Sequence, residues 1–260
     1  MILKKLLLIA LTQAALFAGM SVNEIVKQVD IRDVGDNGVA TMKMVLIDKH
    51  GAKRVRSMKK YAKDKGEDIY SAIFFLSPSD VKNTAFLTYD YDDSARDDDQ
   101  WLYLPALKKT KRIASSDKSA SFMGSDFSYS DMTSRNIEDY TYKLAKESKV
   151  GQHKVWIIES KPKTQKTIDE TDYTKSYMFV RQDNFVVIRA LHFLTDGKKK
   201  YMDVKKLEKI DGIWVATEIE MKTKKGKQTL HTTVLKFNDV KFNQDLSDNF
   251  FTVRQIEKGI

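Results

Sequence analysis

The stretch Ile213-Trp214-Val215-Ala216-Thr217-Glu218-Ile219-Glu220-Met221-Lys222 sets Ile213, Val215, Thr217, Ile219 and Met221 against polar Glu218, Glu220 and Lys222. Successive side chains of a strand point to opposite faces, so this period of two predicts a half-buried β-strand. Leu87, Tyr89 and Tyr91 alternate in the same way with Thr88 and Asp90, as do Tyr140, Tyr142 and Leu144 with Thr141 and Lys143. Tyr70 to Leu76 and Phe185 to Leu194 are apolar on both faces and predict strands covered on both sides. Between the runs stand His50-Gly51, Lys65-Gly66, Asp183-Asn184, Asp196-Gly197, Asp211-Gly212 and Lys225-Gly226. Short turns of this kind join antiparallel neighbours. The pattern predicts a mainly β chain of about ten or eleven strands between Val39 and Phe242. No linker or repeat divides it, so residues 22–260 read as one large antiparallel domain. A sheet that wide curls toward a barrel, with room inside for a ligand or an inserted segment.

The amino-terminal end has a different period. Lys4 and Lys5 precede an apolar run from Leu6 to Ala18 broken only by Thr12 and Gln13, with small residues (Ala15, Ala18, Gly19, Ser21) near its end. This is the pattern of a cleavable secretory signal over residues 1–21, and the run is shorter than the ~20 residues a membrane span needs. No cysteine follows to carry a lipid, and the chain has none at all, which leaves no disulfide framework, thiolate metal site or cysteine nucleophile. The expected location is the periplasm, as a soluble mature protein. Val22, Ile25, Val26 and Val29 then fall on one face at helical spacing, with Ser21 or Asn23 as cap and the turn Asp36-Asn37-Gly38 beyond.

Residues Ser115 to Asn136 break the strand pattern. Small polar residues there are interspersed with Phe122, Met123, Phe127, Tyr129 and Met132. Spaced aromatics argue against disorder, and a loop this long inside a compact domain is usually functional. Ser125 or Asp126 could cap a short helix placing Tyr129 and Met132 on one face. The segment reads equally as a moving lid over a cavity and as a static plug.

Two motifs carry a family resemblance. Trp101-Leu102-Tyr103-Leu104-Pro105-Ala106-Leu107-Lys108-Lys109-Thr110-Lys111-Arg112-Ile113 resembles the central signature of the LolA-like outer-membrane-lipoprotein-sorting proteins. Gly124-Ser125-Asp126-Phe127-Ser128-Tyr129-Ser130-Asp131-Met132 resembles their second signature, and Leu246 to Thr252 is similar to the family's ending. The resemblance implies a half-open antiparallel β-barrel with an apolar interior that shelters acyl chains. It implies as partners a lipid or lipoprotein cargo and, for this branch, a lipid exporter of the resistance-nodulation-division (RND) type.

A carrier of this kind needs an apolar cavity, since each methylene removed from water is worth ~0.8 kcal/mol. It also needs an interior that releases what it binds, and flexible Met side chains suit that. The lid and cavity candidates are Phe122, Met123, Phe127, Tyr129, Met132, Met42, Met44, Phe74, Leu87, Tyr89, Trp101 and Tyr103. The net charge is +9, with basic stretches at Lys108 to Arg112, Lys198 to Lys200 and Lys222 to Lys225. Lys108, Lys109, Lys111 and Arg112, beside the proposed lid, are suited to transient contact with an anionic membrane surface or a partner. An exported chain meets no nucleic acid.

No catalytic or phosphate-binding motif occurs, and His50, His153, His192 and His231 are scattered, so neither an enzyme nor a cofactor is expected. The acidic run Asp90, Asp92, Asp93, Asp97, Asp98, Asp99 lacks the glycine and bidentate glutamate of a calcium loop, because Ala95 and Trp101 stand there. Metal is not expected. The functional reading is thus a periplasmic carrier of lipid or lipoprotein acyl chains serving transport to or within the outer membrane. The alternative is a non-enzymatic adaptor that docks on an exporter or envelope protein without carrying lipid.

Overall fold

The computed structural model describes residues 19–93 and 95–260. The secretory signal read over residues 1–21 lies, up to residue 18, outside the described residues. Helix α1 (Val22–Asp30) opens with a capping box: the Ser21 hydroxyl accepts the Glu24 N–H, and the Glu24 carboxylate accepts the Ser21 N–H. It ends at Asp30, six residues before the expected stop at Asp36-Asn37-Gly38. The connection that follows is pinned at Gly35, where φ is +83° and a Cβ would lie 2.2 Å from the Phe242 ring. Only glycine fits there.

Thirteen strands follow. They are β1 (Val39–Asp48), β2 (Lys53–Lys65), β3 (Asp68–Ser77), β4 (Ala85–Asp90), β5 (Asp99–Leu104) and β6 (Lys109–Arg112), then β7 (Tyr140–Val150), β8 (His153–Pro162), β9 (Tyr173–Arg181), β10 (Val187–Leu194), β11 (Lys199–Ile210), β12 (Ile213–Lys225) and β13 (Gln228–Lys241). Two short helices complete the chain: α2 (Gln165–Thr171) and α3 (Val253–Lys258). The count exceeds ten or eleven. In particular, the first signature is itself a hairpin: Pro105 starts a single turn, Lys108 takes the left-handed conformation (φ +47°), and β5 folds back on β6.

The strands form one antiparallel sheet in the order β6-β5-β4-β3-β2-β1-β13-β12-β11-β10-β9-β8-β7. Every pair is consecutive in sequence except β1 with β13, where Met44 faces Leu235 and Met42 faces Phe237. The sheet is a half-barrel, open between β6 and β7. Residues 113–139 leave one margin at β6, cross the inner face and re-enter at the other margin, β7.

Directly paired residues share a face of a sheet, so the register fixes which side chains point inward. Met42, Met44, Leu235, Ile219, Met221, Met202, Ala190, Met178 and Ile158 follow one another across seven strands on the inner face. Helix α1 covers that face at β7–β9, burying Ile25 and Val26 against Trp156, Ile158, Met178 and Val180. The 113–139 crossing covers the rest. On the outer face, α3 and the preceding Phe250 and Phe251 lie over β2–β5.

Candidate functional site

The inner face from β11, β12 and β13 across β1 to β5 carries an apolar cluster built around methionine. Met42, Met44, Met58 and Met221 are buried there, with Met123, Met132 and Met202 packed at its edge. Seven of the chain's ten methionines thus surround one cluster, together with Leu46, Ile73, Phe75, Phe86, Leu102 and Leu235. The crossing segment supplies the cover. Phe122 and Phe127 are buried in the cluster, Phe122 packs against Phe86 with ring centres 5.0 Å apart, and Tyr129 lies edge-on to Phe122 at 5.7 Å.

The segment is neither helix nor strand of the sheet. It closes on itself through the Phe122 N–H to Phe127 O bond (2.7 Å) and a single bridge between Ser121 and Ser128, with Met123 at φ +52° and Gly124 at φ +73°. A few polar anchors tie it to the barrel. The Asp126 N–H donates to the Thr233 hydroxyl (2.9 Å), and its carboxylate accepts from Thr233 (2.7 Å), His231 Nδ1 (2.7 Å) and Thr223. Arg56 donates to the Met123 carbonyl, and Gln100 Nε2 to that of Tyr129 (2.9 Å). Asp126 is therefore a sheet anchor rather than a helix cap, standing between the single turns Phe122–Gly124 and Ser130–Met132.

Asp131 makes the last anchor, in a buried polar cluster. Its carboxylate accepts from the Tyr173 hydroxyl (2.9 and 3.0 Å) and the Ser128 N–H (2.8 Å), and Lys200 Nζ lies 3.6 Å away. Burial would raise the Asp131 carboxyl, but Lys200 and the Ser128 N–H outweigh it and hold it below the usual carboxylate range. His192 stacks on Tyr173 (4.3 Å) and hydrogen-bonds Ser176 through Nδ1 (2.8 Å). Burial pushes its imidazole down to about 3, so it is neutral. Burial next to Asp131 drives the Tyr173 phenol well above its ordinary value.

Asp131, Tyr173 and His192 of this cluster border a cavity of about 880 Å³ that is lined also by Asp90, Asp98, Arg135, Glu170 and others. Its walls are largely charged. The apolar surface of the barrel lies beneath the crossing segment instead.

Of the residues expected to line a cavity, Met42, Met44, Phe122, Met123, Phe127, Tyr129 and Met132 come together on the inner face. Phe74, Leu87, Tyr89, Trp101 and Tyr103 do not. They lie on the outer face under Phe251 and Ile256, with the Tyr89 hydroxyl donating to the Phe251 carbonyl (2.7 Å). Strand β3 is apolar on both faces, and on β4 the alternating Leu87 and Tyr89 face outward, so alternation does not say which side is the barrel interior, and the carboxyl-terminal segment decides it. Their inward partners are Ile73, Phe75, Phe86 and Leu102.

The basic cluster at β6 is partly neutralised, since Lys111 pairs with Asp117 (2.9 Å) and Arg112 with Asp99. Lys108 and Lys109 remain without an ion pair among the described residues. The acidic run is spent on similar links: Asp97 holds Lys166 (2.5 Å), and Asp98 accepts the Tyr91 N–H (3.0 Å). Met58, Lys200, Tyr173 and His192 were not legible as a site. Lys200 sits in the run Lys198-Lys199-Lys200, where only strand parity separates the inward lysine from the outward one.

A wide antiparallel half-barrel with a helix and an irregular segment packed into its open side is a LolA-like fold. A DUF1329 family protein from Desulfovibrio piger is similar over 90% of this chain and 96% of its own, at 31% identity and a TM-score of 0.81. A domain from Vibrio parahaemolyticus named for outer membrane lipoprotein sorting is similar over 90% of this chain and 97% of its own, at 30% identity and a TM-score of 0.81. A LolA superfamily protein from Nitrosomonas europaea, at 18% identity and a TM-score of 0.69, shares the fold. A family model described as "Uncharacterized protein"-like matches residues 67–258, and no curated protein matches. The chain belongs to the DUF1329, lipoprotein-sorting-like family that the first two relatives represent.

Proposed function

We propose that this protein is a non-enzymatic carrier that takes up acyl chains of a lipid or lipoprotein on the inner face of the half-barrel. The observation that supports it most is the methionine-lined apolar cluster under a cover that is not part of the sheet. A sheet strand leaves only by breaking a ladder of main-chain bonds, whereas residues 114–136 are held by a handful of side-chain anchors. Their displacement exposes apolar surface that acyl chains can cover in turn. Exchange of one apolar contact for another keeps affinity modest, and unbranched methionines adapt to either occupant. In this reading Phe122, Phe127, Tyr129 and Met132 are the cover, and Met42, Met44, Met58, Met202 and Met221 the bed.

In this reading the secretory leader expected over residues 1–21 directs the carrier to the periplasm, where acyl chains must cross water on the way to the outer membrane, and an RND-type exporter is the donor that the family resemblance suggests. The test is native mass spectrometry with lipid extraction on protein purified from its own periplasm. Acyl-bearing lipid is expected to copurify in stoichiometric amount, on a chain whose amino terminus falls between Gly19 and Val22. Protein that carries no lipid and fails to take up a fluorescent fatty acid overturns the carrier in favour of an adaptor.

A further inference from the structure

The outer face of β9–β12 is made differently from the rest of the molecule. Strand register sets Lys175, Phe193, Lys199 and Lys224 directly opposite one another in one row across four strands. Tyr177, Leu191, Tyr201 and Lys222 form the next row. Each ring carries an ammonium group. Lys175 Nζ is 4.8 Å from the centre of Phe193 and 5.2 Å from that of Tyr177, Lys199 Nζ is 4.8 Å from Phe193, and Lys224 Nζ is 5.1 Å from Tyr201.

All of these rings are partly exposed, as is Leu191. The carboxyl-terminal segment that covers the outer face at β2–β5 does not reach them. Lys175, Lys199 and Lys224 make no ion pair among the described residues. The nearby carboxylates are engaged elsewhere: Glu159 with Lys161 and Tyr177, Asp203 with Arg189, Glu220 with Lys222, Asp196 with Lys198. Lys199 and Lys224 even face each other directly, a pairing that works against the sheet.

We propose that this two-row patch docks on an anionic phospholipid bilayer. Rings with a wet edge and an apolar body settle at the headgroup level of a membrane. Lysines laid over them bury their stems while keeping the charge in water. The three unpaired cations are all lysine, a hydrated point charge with no preferred fork geometry. That suits a diffuse sheet of lipid phosphates better than a single bidentate site. The patch lies on the face away from the methionine cluster, so docking leaves the inner cover free. The inference goes beyond the carrier reading and can fail without it.

The experiment is cosedimentation of the full chain with phosphatidylcholine vesicles, with and without phosphatidylglycerol, at low and high salt. A Phe193→Trp variant reports insertion by a blue shift of its emission relative to the parent protein. Binding is expected only with phosphatidylglycerol present and should weaken as salt rises. Lys175→Gln, Lys199→Gln and Lys224→Gln together should weaken it roughly a hundredfold. Lys108→Gln with Lys109→Gln should change it far less. Fatty-acid uptake and circular dichroism of the triple variant are expected to match the parent, which separates lost docking from a lost fold or a lost cargo site. Anionic-vesicle binding equal to the parent's in the triple variant overturns the proposal. So does absence of parent binding to anionic vesicles, or binding by this patch to single-stranded DNA or an acidic peptide in preference to vesicles.

Discussion

Asp126 on the crossing segment and His231 on β13 stand 105 residues apart in sequence and 2.7 Å apart in space. Thr223 and Thr233 give the same carboxylate their hydroxyl protons. This one side chain joins the second family signature to the two strands that close the sheet onto β1. Asp126→Ala strands the buried Thr233 hydroxyl, the part-buried Thr223 hydroxyl and a histidine donor, and bonds to a charged group are worth ~1.5–3 kcal/mol each. The variant is expected to unfold at least about 2 kcal/mol more easily in denaturant titrations and to bind more apolar dye. An unchanged midpoint would show that the anchor carries no stability.

The cover can be tested for motion by comparing its deep and shallow residues. Phe122 is almost wholly buried, so Phe122→Ala is expected to cost ~3–5 kcal/mol, as a core truncation does. Tyr129 and Met132 are only partly buried at the edge of the cluster. Replacing both with Ala should raise fluorescent fatty-acid binding at a much smaller cost in stability. Severe destabilisation with no gain in binding would mark the segment as a fixed plug.

His192 gives stability a definite pH dependence. Its imidazole is lowered from its ordinary value to about 3, chiefly by burial, so the folded state binds a proton less readily than the unfolded one. The contribution is complete above the unfolded value near 6.5 and is lost as pH falls from there toward 3. His192→Gln is expected to flatten that decline in thermal melts recorded across the window. A wild-type slope retained in the variant would assign it to other groups.

Asp90 acts in the opposite direction. Burial first, and Asp98 second, raise its carboxyl to about 6, against the opposing Ser134 N–H and Lys60. A raised carboxyl favours the fold while protonated, so this contribution is present below about 4 and is lost as pH rises to 6 and beyond. Asp90→Asn is expected to stabilise the protein at pH 7 relative to the parent and to have little effect at pH 4. Equal effects at both values would contradict the assignment.

Alternation made much of the sheet legible. Thr217 and Met221 of β12 are buried as their period of two requires, and Ile25 and Val26 of α1 as their helical spacing requires. What local pattern could not supply was inside against outside. Phe74 and Phe75 are adjacent, equally apolar and equally buried, yet one lies under α3 and the other in the methionine cluster. The choice is made by Phe250, Phe251 and Ile256, some 175 residues downstream. The buried polar cluster was hidden for a related reason: Tyr173, His192 and Lys200 meet through the pairing of β9, β10 and β11, and Asp131 reaches them from the crossing segment laid over that face.

An open sheet has two unpaired margins, each a template on which another chain could add a strand. Here β6 reads Lys109-Thr110-Lys111-Arg112, and β7 sets Lys143, Lys146, Glu147 and Lys149 along its exposed length. Lysine-rich margins repel a second copy and each other. The charge cluster of the first signature therefore has a protective consequence: it keeps the half-barrel from zipping shut on itself or stacking edge to edge into fibres, so the slot spanned by residues 113–139 persists as an opening.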